Sequence, residues 1–244
     1  MTAIDIGLPM ISRDSKYLPS VIGNIQKSLV NAGIHDSARM HVITQESDRH
    51  LCDRVKELCT STDVICSEVP DYDLKRRRHQ MSKIAQKRNA VVQRARDDGR
   101  SGVLFVDSDI LLNRDTVRKL LAACDDGKDV CAAAYHPTWS ADPVVAVGTP
   151  EEYALKSTYE LGADSGQRCV PMVASGTGCT LFKASSFDVQ FENMHDERTG
   201  IHGEDIGFMI NANKKGLRMC VLPSYHVTHL AASHNLIHPP RAVQ

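Results

Sequence analysis

The chain has 244 residues, of which 42% are hydrophobic and 24% are charged, and its formal net charge is −1. This length can bury one sizeable core, and the balanced charge argues against a nucleic-acid partner. The sequence shows no signal-peptide pattern and no apolar run of membrane-spanning length, so we expect one soluble cytoplasmic domain over residues 1–244.

The eight cysteines are dispersed along the chain, and no two of them have the Cys-x-x-Cys spacing of a structural zinc site. Several stand in apolar segments, among them Cys131 and Cys220. Small buried thiols in a reducing compartment explain this distribution. The cysteines therefore agree with the expected cytoplasmic location.

The first half of the chain alternates between strand and helix patterns. Apolar segments predict strands at Ile4–Leu8, Met40–Thr44, Asp63–Val69, Val103–Val106 and Val130–Tyr135. Helical spacing of apolar residues predicts helices at Lys16–Val30, at Arg49–Cys59, at Ser82–Arg96 with Ser82 as N-cap, and from Asn113 onward. This alternation predicts an α/β fold with a mainly parallel sheet flanked by helices, and such sheets bind ligands beyond the carboxyl ends of their strands.

The second half of the chain has a different pattern, because residues 136–169 are richer in turn-forming and polar residues. Further elements are predicted as a strand at Val173–Phe182, a helix at Glu204–Lys215 and a strand at Arg218–Leu222. We see no repeat and no clear linker. We therefore expect a single domain with a nucleotide-binding front half, about residues 1–135, and a substrate-shaping back half, about residues 136–244.

An Asp-x-Asp motif follows the predicted strand Val103–Val106. Asp107 and Asp109 are two residues apart, so an extended backbone points both carboxylates the same way. Convergent carboxylates repel each other unless a cation lies between them, and oxygen ligands favour Mg²⁺ or Mn²⁺. Such an ion is suited to holding a diphosphate. The alternative is a solvated Asp-Ser-Asp turn at the end of a strand.

Five segments, in this order, resemble motifs of the glycosyltransferases of the GT-A fold, particularly the inverting family 2. They are the first-strand loop Gly7–Arg13, Lys87–Ala90 with its Arg-Asn pair, the Asp-x-Asp segment Phe105–Asp109, the acidic segment Gly203–Phe208, and Pro223–His229. The resemblance implies a Rossmann-like GT-A fold with a nucleotide-binding half and an acceptor half. It also implies transfer of a sugar from a nucleotide-diphosphate donor to a carbohydrate or other hydroxyl acceptor, with inversion.

The resemblance assigns donor and metal contacts to individual residues. The donor side takes Pro9, Met10, Ile11, Ser12, Arg13, Arg88, Asp107 and Ser108, and Lys83 shares the helix face of Arg88. The candidate ligands of the metal, Mn²⁺ or Mg²⁺, are Asp107, Asp109 and His229, with Asp107 contacting a metal-bound water or the ribose. His226 is the alternative histidine, and a strand would point it away from His229.

The acidic segment supplies the catalytic groups that the resemblance implies. Asp205 is the base that removes the proton of the acceptor hydroxyl, and Glu204 positions the acceptor. Direct displacement with such a base inverts the anomeric carbon through an oxocarbenium-like transition state. Acidic residues at a helix start are also favoured by the helix dipole alone, which is the structural alternative.

Two further features are assigned to acceptor binding. The segment Gly176-Thr177-Gly178 permits close backbone approach to a ligand, although glycine in a strand also marks bulges. Trp139, the only tryptophan, is suited to stacking on a sugar ring, although a lone tryptophan is more often part of a core.

Other functions use related motifs. A haloacid-dehalogenase-type phosphatase also has an apolar strand that ends in Asp-x-Asp, with the first aspartate as nucleophile, but here three β-α units precede the motif. A sugar nucleotidyltransferase has a glycine-rich loop after its first strand, whereas Met10–Ser15 contains no glycine. A nucleic-acid module around the basic segment Lys75–Arg96 lacks interleaved aromatic residues.

Overall fold

The computed structural model describes residues 3–10, 12–59, 62–70, 77–136, 144–149, 152–165, 169–196 and 201–230. The strands are β1 Ile4–Pro9, β2 Arg39–Gln45, β3 Asp63–Val69, β4 Gly102–Val106, β5 Ile110–Leu111, β6 Val130–Ala134, β7 Val144–Gly148, β8 Tyr153–Ser157, β9 Val170–Pro171, β10 Cys179–Lys183, β11 Met194–Asp196, β12 Ile201–Gly203, β13 Met219–His226 and β14 Thr228–His229. The α-helices are α1 Leu18–Ala32, α2 His50–Leu58, α3 Arg77–Asp97, α4 Thr116–Asp125, α5 Thr158–Ser165 and α6 Glu204–Lys214.

Eight strands form the large sheet in the order β3-β2-β1-β4-β10-β6-β13-β9. Strand β10 is antiparallel to both β4 and β6, strand β9 is antiparallel to β13, and the remaining neighbours are parallel. The predicted mainly parallel α/β sheet is therefore confirmed. Strands from both predicted halves of the chain contribute to it.

The core lies on both faces of this sheet, because side chains alternate along each buried strand. On β4, Leu104 and Val106 face the layer of α1, α2 and α4. Val103 and Phe105 face the opposite layer, which contains α3 and α6. In that second layer Phe105 packs edge-on against Phe182 and Phe191, with ring centroids 5.6 and 5.5 Å apart. Packing on both faces therefore holds β4 in place, and this sets the position of the residues that directly follow the strand.

Several predicted element boundaries are wrong, among them the end of β13, which extends to His226 rather than to Leu222. Helix α3 begins at Arg77 rather than at Ser82, because residues 77–81 contain no glycine or proline to stop the helix. Helix α4 begins at Thr116 rather than at Asn113. The strand predicted at Val173–Phe182 is reduced to β10, because its first residues form a turn next to the sheet, with Ala174 making one isolated bridge to Ala146.

The prediction that all the cysteines are free thiols is wrong for four of them. The structure pairs Cys52 with Cys66 and Cys169 with Cys220 as disulfides. The remaining cysteines, Cys59, Cys124, Cys131 and Cys179, are free and buried. Sequence spacing could not reveal these pairs, because strand pairing and helix packing bring the partners together. The cysteines therefore no longer support a reducing compartment. Among the described residues, we find no helix with the length and apolar character needed to cross a bilayer.

Candidate active site

The carboxyl ends of β1, β4 and β6 meet at one edge of the large sheet, and the antiparallel strand β10 begins there. Asp107 follows β4 at this edge, and its amide donates to the carbonyl oxygen of Gly178 at 2.9 Å. Helix α3 packs on β1 and β4 and also contacts α6, whose first residues are Glu204 and Asp205. Three separate parts of the chain therefore bring polar residues to the edge where α/β sheets bind ligands.

Arg88, in the middle of α3, links these parts. The residue is 2% exposed, its Nη2 donates to Asp107 Oδ1 at 2.8 Å, and its Nη1 donates to Glu204 and Thr177. Burial lowers the pKa of Arg88, but the charges of Asp107 and Glu204 raise it by more, so the guanidinium stays charged. The contacts shown for Arg88 are internal, and its predicted donor contact stays a prediction.

The two acidic residues at the start of α6 differ in exposure and in partners. Glu204 is 5% exposed and paired with Arg88, and burial raises its pKa to about 7. Asp205 is partly exposed, and its Oδ1 accepts the amide N–H of Ile206 at 2.8 Å. Burial also raises the pKa of Asp205 above its ordinary value. Of these two residues, Asp205 is the more exposed, whereas Glu204 has an internal partner.

Asp109 and His229 form a second pair at this edge. Strand β14 pairs with β5, which places His229 opposite Ile110, and Nε2 of His229 lies 3.0 Å from Oδ2 of Asp109. The alternative histidine, His226, has its Nε2 3.1 Å from Thr158 Oγ1. Burial lowers the pKa of His226. The geometry therefore favours His229 over His226 as the partner of the Asp-x-Asp motif.

The Asp109–His229 pair brings one carboxylate oxygen and one ring nitrogen to within 3.0 Å of each other. His229 Nδ1 donates to the carbonyl oxygen of His136 at 2.7 Å, so in the neutral ring the Nε2 lone pair faces a carboxylate oxygen. Two facing acceptors need a proton or a metal ion between them. A shared proton is consistent with the raised pKa of His229, which burial lowers but which Asp109, the carbonyl oxygen of His136 and the charge of Asp107 together raise.

A metal ion fits the same pair, because adjacent ligands of Mg²⁺ or Mn²⁺ lie about 3 Å apart. Within the part of the chain that the structure describes, no third His, Cys, Asp or Glu side chain completes a protein-only cluster. Asp107, predicted as a further ligand, is paired with Arg88. A cation at this pair would therefore need further ligands from outside the described protein side chains.

The predicted donor loop after β1 is described only in part. Pro9 ends β1, and Met10 is fully buried. Ser12 and Arg13 open a short 3₁₀ helix, but their side chains, like all of Ile11, lie outside the described residues. The donor contacts of these five residues stay predictions.

Lys87, which sequence reasoning left out of the site, supports this loop from inside the protein. The residue is 1% exposed, and its Nζ donates to the carbonyl oxygen of Met10 at 2.7 Å. Burial lowers the pKa of Lys87 to about 8, and the charge of Asp48 opposes this shift. Lys83, one turn earlier on α3, is partly exposed, and Ser108 is buried. The predicted donor contacts of Lys83 and Ser108 stay predictions.

The segment assigned to acceptor binding contacts the protein's own side chains. Thr177 is 1% exposed, and its hydroxyl accepts a hydrogen bond from Arg88. A Cβ atom at Gly176 would overlap the hydroxyl of Tyr135, which explains why glycine stands there. The close approach that was expected against a ligand is therefore made by Tyr135. Trp139, the other residue assigned to the acceptor, lies outside the described residues.

Asn89 and Tyr135 also shape this edge, although sequence reasoning gave neither of them a role in the site. Asn89 holds the backbone of Phe191 in two directions, donating to its carbonyl oxygen at 2.9 Å and accepting its amide at 2.8 Å. Its signal in the sequence is an asparagine, a poor helix former, in the interior of a helix. Tyr135 stands directly after β6, at the carboxyl end where α/β sheets bind ligands, and its position was the available signal.

The mainly parallel sheet of eight strands, flanked by helices on both faces, matches the GT-A fold. The fold implied by the sequence resemblance is therefore confirmed. No protein-family model and no curated protein matches the chain. Among solved structures, Staphylococcus aureus TarS 1–349 is 16% identical, with a TM-score of 0.59 over 93% of this chain and 60% of that one. The same protein in complex with UDP gives 17% identity and the same TM-score and coverage.

A mannosyltransferase from Pyrobaculum calidifontis, PcManGT, solved in complex with GDP-Man and Mn²⁺, is 12% identical, with a TM-score of 0.54. The likeness covers 98% of this chain and 58% of that one. The chain thus spans about 60% of the length of these structures. At such low identities the likenesses establish the fold alone.

Proposed function

We propose that the protein is a metal-dependent glycosyltransferase that moves a sugar from a nucleotide-diphosphate donor to an acceptor hydroxyl, with inversion at the anomeric carbon. The observation that supports this proposal most is the contact of Arg88 with both Asp107 of the Asp-x-Asp motif and Glu204 of the acidic segment. The UDP and the GDP-Man with Mn²⁺ bound in the structures of similar fold agree with a donor of this class.

The donor side of the proposed reaction lies at Asp109 and His229, which would hold the divalent cation. The cation would neutralise the charge that develops on the diphosphate as the bond to the sugar breaks. Lys87 holds the backbone of Met10 in place, and the loop that follows would contact the nucleotide. Within one domain, we assign residues 1–135 to donor binding and residues 136–244 to the acceptor and the base, except for His229, which joins the donor side.

Asp205 is the proposed base. The residue is partly exposed, and burial raises the pKa of its carboxyl group above the ordinary value of an aspartate. A carboxylate of raised pKa accepts a proton more readily, so the acceptor oxygen attacks as the proton moves to Asp205. Single displacement of this kind inverts the anomeric carbon.

Arg88 and Glu204 are proposed as positioning residues. The charged guanidinium holds Glu204 at the start of α6 and Asp107 at the end of β4, so it fixes the distance between the base side and the donor side. The same pairing argues against the phosphatase alternative, because the Asp107 carboxylate that would act as nucleophile is bound to Arg88.

Turnover of UDP- and GDP-linked hexoses, followed by proton NMR with Mn²⁺ and a set of methyl glycosides as acceptors, tests the proposal. We expect Mn²⁺-dependent release of nucleoside diphosphate and an anomeric proton of inverted configuration in the product. Asp205→Asn should lose about 10²–10⁴-fold in turnover and keep donor binding within a few-fold. Asp125→Asn, at an exposed position on α4, is the matched control and should keep full activity.

Retained configuration in the product would rule out single displacement assisted by Asp205. Full turnover by Asp205→Asn would remove Asp205 from the base role. Steady hydrolysis of simple phosphate esters at an enzyme-like rate would favour the phosphatase alternative over the transferase.

A further inference from the structure

Tyr135 contacts both sides of the candidate donor site, although the proposed function gives it no role. Its hydroxyl accepts the amide N–H of Gly178 at 3.2 Å. Its ring stands edge-on to the ring of His229, with centroids 5.6 Å apart. One side chain thus touches the turn before β10 and the histidine of the candidate cation pair.

The packing around this hydroxyl leaves no room for adjustment. A Cβ atom at Gly178 would lie 3.0 Å from the Tyr135 hydroxyl and 2.8 Å from Oδ2 of Asp107. The Asp107 amide in turn donates to the carbonyl oxygen of Gly178. Gly178 is therefore in contact with Tyr135 on one side and Asp107 on the other, so a shift of one is transmitted to the other.

We propose that Tyr135 is a positioning residue for donor binding, which orients the Asp107 carboxylate by holding Gly178 against it and so sets the affinity for a nucleoside diphosphate. This inference rests on the proposed function, because it places Asp107 on the donor side. A purely structural tyrosine would change the stability of the fold without changing metal-dependent affinity for nucleotide.

Tyr135→Phe is the central variant, because it keeps the ring and removes the hydroxyl. Tyr225→Phe is the matched control, since the hydroxyl of Tyr225 bonds Asp115 and Thr116, away from the donor side. Both variants should lose stability in urea denaturation. Only Tyr135→Phe should bind UDP or GDP more weakly in the presence of Mn²⁺, by about threefold to tenfold, as expected for one lost hydrogen bond.

Gly176→Ala supplies a second test, because its effect on nucleotide binding should depend on whether the Tyr135 hydroxyl is present. The added methyl would overlap the Tyr135 hydroxyl, whereas the nearest ring carbon, Cζ, would be 3.0 Å away. Gly176→Ala should therefore weaken nucleotide binding at least about tenfold in the wild-type background and about threefold or less in the Tyr135→Phe background. If Gly176→Ala does not fold alone, the Tyr135→Phe measurement decides.

The outcomes separate this inference from the proposed function. If the wild type binds neither nucleotide with Mn²⁺, the proposed function and the inference are both overturned. If the wild type binds and Tyr135→Phe binds equally well, the inference alone is overturned. Weaker binding by the Tyr225→Phe control to the same extent would also overturn it, because the effect would then not be specific to Tyr135.

Discussion

The pairing of Arg88 with two carboxylates predicts a large loss of stability when the guanidinium is removed. Arg88→Met leaves Glu204, which is 5% exposed, and Asp107 without their counter-charge. Removing one partner of a buried ion pair costs about 3–5 kcal/mol. The side chain of Asp107 is 36% exposed, so water compensates in part, and we expect a loss of about 3 kcal/mol.

Urea denaturation at pH 8 measures this loss, because Glu204, whose pKa is about 7, is then mostly ionised. Glu204→Gln removes the charge that Arg88 balances. Arg88→Met should therefore cost at least about 1 kcal/mol less in the Glu204→Gln background. Arg94→Met is the matched control on the same helix, since its side chain is 58% exposed and its ion pair with Asp98 should contribute less than about 1 kcal/mol.

Two results would refute this reasoning. One is a loss of less than about 1 kcal/mol for Arg88→Met, and the other is strict additivity with Glu204→Gln. If Arg88→Met does not fold, Arg88→Lys replaces it. Lysine keeps the positive charge but cannot donate to all three acceptors as the planar guanidinium does. Arg88→Lys should therefore lose less stability than expected for Arg88→Met, and Glu204→Gln should again reduce that loss.

Two further predictions concern pH. Burial raises the pKa of Asp5, but its partners His41, Arg39 and Arg100 lower it by more, from 3.8 to about 2. The ionised carboxylate therefore adds about 2 kcal/mol to the free energy of unfolding. This contribution is present above pH 4 and is lost as the pH falls toward 2. Asp5→Asn should flatten acid denaturation in this window, and an unchanged acid transition would contradict the ion-pair account. The raised pKa of Glu204 has the opposite effect on stability, because the folded state keeps the proton of this carboxyl group at pH values where the unfolded state has lost it. The stability of the fold should therefore decrease as the pH rises from about 4.5 to 7. Carbon-detected NMR of labelled glutamate should show this carboxyl titrating near pH 7, whereas a midpoint near 4.5 would remove the burial argument.

The sequence predicted the sheet and the position of Asp107 because both depend on local patterns. Val103–Val106 is continuously apolar, as a strand buried on both faces must be, and the alternating elements before it specify a mainly parallel sheet. Strand β10 was placed too early in the chain, because Gly176 and Gly178 read as strand interior. The structure uses both glycines for contact with Tyr135.

The partners of Arg88 and Lys87 could not be predicted, because they depend on long-range packing. Arg88 is 19 residues from Asp107 and 116 from Glu204 in sequence. Lys87 and Arg88 are adjacent basic residues that point about 100° apart on the helix, and no local pattern says which of them meets the carboxylates. Lys87 instead holds the backbone of Met10.

Asp109 and His229 are proposed to bind a nucleoside diphosphate through a divalent cation. Calorimetric titration of UDP and GDP into the protein, with Mn²⁺ and with EDTA, tests it most directly. We predict binding of at least one nucleotide with Mn²⁺, weakened at least about tenfold by EDTA, by Asp109→Ala or by His229→Ala, and unchanged by His226→Ala. Equal affinity in Mn²⁺ and EDTA, or full affinity in Asp109→Ala, would contradict the account.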